Sequence, residues 1–487
     1  MNIALAIIGG TVALAVLIAA LSRRGHRMSL EQWTVGDRSF GVVVMWFLMA
    51  GEIYTTFSFL GASGWVYSKG APVLYVLAYL SLSNIVGFFV SPLIWQLGRR
   101  HGLQTQADVF HVLYGGRALP AVVALTGIAA IVPYLQLQLT GLGIIVSVAS
   151  YGAISQEAAM AVAGVLIVGF VLVSGIRAVA GVSVLKDLLM VITVVAMGVA
   201  VPWMLFGGIG PLFARVMQEH PSHLVMPGAT GAYGHGWYIS MVLVCSLGPM
   251  WPQYLSALFT AKDAETIRRN MILLPLYNLT IPGVLFVGYA ALLTLPGLAN
   301  GDLAVMSLLR ARFPAWFVGF IGGAGALAAI VPASVMLLTA STLFAKNIVR
   351  PLLAPSLTDV HVARIARVLV VALTVLCLAL ALGTRVSLVG LLQLGYGLVG
   401  QFFPGIFLGL TWRRATGRAV GIGIAAGLAT LAVLELTHSD PFLGLNAGFV
   451  AVVANAGVMV ALCACNVGRR VSVDLEPADE PEPTRAP

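Results

Sequence analysis

Thirteen apolar runs, each separated from the next by a short polar loop, leave this chain few ways to fold. They lie at 3–22, 42–67, 72–96, 118–148, 158–175, 181–206, 237–259, 271–294, 316–344, 366–383, 386–411, 419–436 and 444–467. About 20 apolar residues carry a helix across the hydrocarbon of a bilayer. Inside that layer every backbone N–H and C=O must be satisfied by the protein, which only helices and closed barrels achieve. The alternating pattern of a barrel strand is absent. Hydrophobic residues make up 59% of the chain and charged residues 9%, against about 25% charged in a soluble domain. The expected class is therefore an all-α integral membrane protein of about thirteen transmembrane helices.

The charges orient it. About 21 of the 27 Lys and Arg fall in loops on the side that holds Arg23, among them Arg99, Arg100, Lys262, Arg268, Arg350, Arg413 and Arg469. The other side holds Lys69, Arg215, Arg310, Arg312 and Arg385, and Lys186 lies within a span. The positive-inside rule then puts the N-terminus outside and the C-terminus inside. Arg23, Arg24 and Arg27 follow the first apolar run, so 3–22 is expected to stay as a membrane helix and not to be cleaved as a signal. The net charge of +9 is spread over short loops with no basic stripe, which argues against nucleic acid as a partner. Cys245, Cys377, Cys463 and Cys465 sit in apolar runs and are expected to be packing residues. No phosphate-binding loop appears, and the histidines lie mostly in loops (His26, His101, His220, His223). Neither a pump nor an enzyme is expected, and no cofactor.

One acid stands in the middle of the second run, VVVMWFLMAGEIYTTFSFLGASGWV. Placing Glu52 at that depth costs at least ~2.5 kcal/mol, and such residues face a bundle interior or a water-filled path. Gly51 beside it loosens the helix. Five spans later the seventh run is broken by Gly248-Pro249-Met250-Trp251-Pro252, where two prolines remove backbone donors. Breaks at matching positions of two five-helix halves of opposite topology point to an inverted-repeat transporter with its site at the midplane. The division this implies is 1–40, a first helix and cytoplasmic loop; 41–206, the first repeat; 207–236, an external loop with a surface helix near 210–220. It continues with 237–411, the inverted second repeat; 412–467, two further helices; and 468–487, an acidic Pro-rich tail expected to be disordered.

Four short motifs carry a resemblance: VGDRSFG before span two, GLQTQADVF after span three, GIRAVAGVSVLKD opening span six, and PQYLSALFTAKDAETIRRN after the broken seventh. In this order they resemble the sodium:solute symporter family over nearly the whole chain, to about residue 470. The nearest branch is that of the bacterial monocarboxylate permeases. The resemblance implies a LeuT-type fold of two inverted five-helix repeats, and sodium as coupling ion. It also implies a monomeric carrier of a small solute in the bacterial inner membrane.

In that family one sodium is held by carbonyls of the first core helix and by a carbonyl and hydroxyls of the eighth. Aligning Gly61 with the family glycine puts the first carbonyls at Gly51 and Tyr54. On span nine the aligned positions, Ala328, Val331 and Pro332, carry no hydroxyl; Ser334 or Thr339 would serve only in a shifted register. Span six departs too, with Ser183 where the family often has an acid and Lys186-Asp187 following. Two readings of Lys186 stay open: its ammonium takes the cation's place, or it pairs with a neighbouring charge or snorkels outward. Coupling is accordingly open between sodium, a proton on Glu52 or Lys186, and none.

Half-helix N-termini at the two breaks favour an anion. Around them the expected substrate contacts are Thr55, Thr56 and Ser58 of span two, Trp251, Gln253 and Tyr254 of span seven, and Gln393 and Tyr396 of span eleven. Tyr134, Gln136 and Gln138 of span four are added. The expected function is symport of a small organic solute, a monocarboxylate such as lactate or pyruvate first, with an amino acid or other small solute as the alternative.

Overall fold

A computed structural model describes residues 2–22, 30–173, 175–228, 232–384, 386–412, 414–465 and 467–468. Among the described residues ten helices are long and apolar enough to cross a membrane, and the bent pair Val42–Ile53 and Phe57–Lys69 is long and apolar enough to make an eleventh crossing. These coincide with expected spans one to four, six and eight to thirteen; span six, for instance, is Ile176–Phe206 and span eleven Leu388–Thr411. Expected span five is the shorter helix Gln156–Val173, and expected span seven is His235–Cys245 followed by Pro252–Leu258. The expected surface helix is present as Ile209–Glu219. The expected disorder of the tail, and the side of Arg23, lie outside the described residues.

Span nine, Ala315–Leu353, is the axis of the bundle, and its apolar stretch is wholly buried. Span one lies along it because glycines leave room. A Cβ on Gly319 would come within 2.7 Å of the Ala4 backbone, and one on Gly323 within 2.7 Å of Thr11 Oγ1. Without a hydrophobic drive between helices in lipid, such close backbone approach supplies the packing energy.

The four motifs meet at one end of the bundle. Phe40 N donates to Thr260 O and Lys262 N to Phe40 O, both at 3.0 Å. Arg38 donates to Leu103 O at 2.6 Å, and Arg177 to Gly36 O at 2.8 Å. Beside them Thr105 and Asp108 form a reciprocal cap on the helix Gln106–Tyr114. Asp108 also accepts from Lys346 at 2.7 Å and Asn347 at 2.9 Å, which ties this loop to the end of span nine. At the opposite end the turn Gly301–Leu303 lies on Gly64 of span two, and Asp302 accepts from the Leu388 N–H that opens span eleven, at 3.0 Å.

Candidate functional site

The two breaks are built differently from the same need. In span two the helix stops at Ile53, and Tyr54 turns extended, with φ −87° and ψ 96°. The pair of half-helices bends by 51°. β-Branched Ile53, Thr55 and Thr56 crowd this stretch and weaken the helix. Local hydroxyls take up the freed groups: Ser58 donates to Ile53 O at 2.7 Å, and Phe57 N–H donates to Thr55 Oγ1 at 3.2 Å. In span seven, Pro249 and Pro252 enforce the gap, and the Gln106 amide donates to Met250 O at 2.6 Å.

Between the breaks lies a cavity. Of the residues expected around a solute, Tyr134, Trp251, Gln253, Tyr254 and Tyr396 line it, together with Glu52, which was expected as a coupling residue. Trp251 stacks its edge toward Tyr134 and Tyr396, with centroids 5.0 and 5.4 Å away. Gln253 Oε1 and Glu52 Oε2 are buried without a hydrogen-bond partner. Among the described residues that line the cavity there is no Lys, Arg or His.

The remaining expected contacts lie outside the lining. Thr55 caps the second half-helix. Thr56 donates to Gln138 Oε1 at 2.7 Å, Ser58 is held at Ile53, and Gln136 donates to Thr384 at 2.6 Å. Gln393 is half-buried and lies outside the lining. Tyr79, Ser83 and Asn84 of span three line the cavity as well. Their signal was the polar clump Ser81-Leu82-Ser83-Asn84 within an apolar run, the type of intramembrane polarity that marks a path.

Beneath the cavity, span six brings Lys186 to the break. Its side chain is 0% exposed. Its Nζ donates to Gly51 O at 2.6 Å and to Tyr54 O at 2.9 Å. Asp187 Oδ1 lies 3.0 Å away and also accepts from Tyr277 at 3.0 Å. Adjacent helical residues do not face one another; the four-carbon arm of lysine is what lets this pair close. Tyr54 in turn shares a hydrogen bond of 2.6 Å with Thr280. The ammonium neither snorkels nor stays free: it is enclosed.

This donor set does not fit a sodium ion. Both carbonyls that the resemblance assigns to the ion are taken by Lys186. On span nine Ala328, Val331 and Pro332 are buried and bring no hydroxyl, and Ser334 donates to Ile330 O at 2.6 Å.

A multi-pass helical bundle with a polar cavity between two broken helices defines a solute carrier working by exposure of one site to either side. The profile of the sodium:solute symporter family matches residues 33–427, and the chain belongs to that family. It is a membrane transporter, not an enzyme, of a family of cation-coupled solute symporters.

The chain is 40% identical to the uncharacterized symporter YhjB of Bacillus subtilis, over 95% of this chain and 97% of that one. It is 30% identical to a monocarboxylate transport permease protein of Rhizobium johnstonii, over 89% and 90%. Among solved structures, a Na+-coupled sialic acid symporter superposes with a TM-score of 0.79 at 15% identity, covering 97% of this chain and all of the other. Mhp1, a nucleobase-cation-symport-1 transporter, superposes with a TM-score of 0.57 at 12% identity, over 91% and 95%. These similarities establish the LeuT-type fold expected from the sequence.

Proposed function

We propose that this protein carries a small monocarboxylate across the bacterial inner membrane by alternating access, together with one proton. The observation that carries the reading is Glu52. It lines the cavity with an unpartnered carboxylate oxygen and no cationic side chain beside it in the lining. A carboxylate solute facing an ionised Glu52 in a low-dielectric cavity is repelled. With a proton on Glu52 the repulsion becomes a carboxyl–carboxylate hydrogen bond, one of the strong charge-assisted kind. The proton then enters and leaves with the solute. The kinship with a monocarboxylate permease at 30% identity supports the solute class.

A second reading has its own support. Tyr79, Tyr134, Trp251 and Tyr396 surround the acid, and ring faces attract an ammonium group. A zwitterionic amino acid would then supply the positive charge that the proton supplies for a simple acid.

Uptake of labelled lactate and pyruvate into proteoliposomes, competed with a panel of monocarboxylates and amino acids and driven by an imposed pH gradient, separates the two. Monocarboxylate uptake accelerated by inward acid is the expected result. Competition by amino acids alone, independent of the pH gradient, would replace the first reading with the second.

A further inference from the structure

The transport reading leaves Lys186 without a task, although it sits at the most constrained point of the bundle. An ammonium has three N–H donors and no acceptor. Each donor here has one oxygen: Gly51 O, Tyr54 O and Asp187 Oδ1, at 2.6, 2.9 and 3.0 Å. The two carbonyls come from the last turn of the first half-helix of span two and from the extended residue that follows it. Carbonyls released where a membrane helix unwinds are the groups that coordinate a transported cation. A second cation among the same oxygens would meet both the steric bulk and the like charge of Nζ. The space beside them is tight as well: a Cβ on Gly51 would lie 3.3 Å from Ser183 Oγ and 3.6 Å from Nζ.

We infer that Lys186 is a tethered replacement for the alkali cation: its ammonium, reaching in from span six, takes the span-two carbonyls of the ion position, holds the break in span two in shape, and closes that position to sodium. Lys186 is a positioning residue in this arrangement, since it reaches the cavity only through the backbone of span two. The inference deepens the transport reading by stating what stands where a coupling ion would bind. Its first test does not depend on knowing the solute.

A protein that binds sodium only in its native state is stabilised by sodium, by RT ln(1 + [Na+]/Kd). Thermal unfolding of the purified full-length chain in detergent is compared in sodium, potassium, lithium and choline chlorides at equal ionic strength. The wild type is expected to unfold at one temperature in all four. Lys186→Ala is expected to unfold at a lower temperature and to recover part of the loss in sodium, lithium or methylammonium but not in choline. In proteoliposomes K186A is expected to lose roughly tenfold or more of its uptake, with several-fold recovery on adding methylammonium or sodium.

A sodium-specific stabilisation of the wild type, or wild-type uptake that requires sodium, overturns the inference. So does a folded K186A that keeps full uptake, or one that is inactive and answers to no small cation. If K186A does not yield monodisperse protein, the wild-type comparison of the four salts decides alone. Absence of uptake for every monocarboxylate tested would sink the solute assignment and leave the salt comparison untouched.

Discussion

Burying an ammonium and a carboxylate together costs several kcal/mol per ion, and the cost is offset only where the geometry is complete. At Lys186 it is complete for the cation, while Asp187 keeps one oxygen without a partner. Truncating one member therefore exposes the other's cost. Lys186→Met is predicted to lower stability by ~3–5 kcal/mol, and Lys186→Met with Asp187→Asn to lose less than the sum of the two single changes, as coupled neighbours do. Melting curves of the four proteins check this; strict additivity would mean that the pair does not interact. For Glu52 the prediction concerns activity. Glu52→Gln keeps the shape and a hydrogen-bond donor but cannot release a proton. Solute exchange should persist while the acceleration by a pH gradient disappears, as measured by counterflow against gradient-driven uptake. Both charges were legible, because an ionisable group in an apolar run has no inexpensive explanation. Tyr277 and Thr280, which complete the network around Asp187 and Tyr54, were not: a tyrosine or threonine in a membrane helix has many ordinary uses.

At the scale of the element, the breaks were readable from Gly51 and from Pro249 and Pro252, since these residues weaken or forbid a regular helix wherever they stand. How each gap is bridged was not, because the bridging groups come partly from other spans, such as Gln106 onto Met250. Ser58 bridges locally, and Ser58→Ala is predicted to cost about 1 kcal/mol and to loosen the bend; hydrogen exchange of residues 53–58 reads it. The turn Gly301–Leu303 makes a pH prediction. Burial pushes the Asp302 carboxyl up to about 6 from its ordinary 3.8, against the opposing pull of the Leu388 N–H. Between those values the folded turn holds more protons than an unfolded one, so its docking weakens as pH rises through about 6. Segment 300–312 should be better protected from exchange at acid pH than at neutral pH, after correction for intrinsic rates. In Asp302→Asn the difference should vanish. Asp108 has the opposite sign. Burial raises its carboxyl, but Lys346 and the hydrogen bonds of the cap outweigh that and hold it below the ordinary range. Its clamp on span nine is thus intact at neutral pH and is lost only in strong acid.

For the molecule as a whole, the proposed orientation follows from the distribution of Lys and Arg. A fluorescent protein fused at the C-terminus should mature and fluoresce, whereas an alkaline phosphatase fused there should stay inactive. The reverse pattern would put the C-terminus outside and mean an even number of crossings or the opposite orientation. What the sequence by itself determined is what depends on single segments: an all-helical membrane protein, the places of its spans, the positions of its two breaks along the chain, and the presence of two charges that need partners. The shared order of four motifs carried the family. Tertiary structure decided which oxygens those charges meet. Lys186 reaches Gly51 across 135 residues and Tyr54 across 132. Such contacts depend on how far each helix is rotated and how closely it packs, and that is fixed by glycines and small side chains on other spans. The apolar pattern that made Lys186 visible could not say whether it would point to lipid headgroups, to a neighbouring acid, or into the ion position.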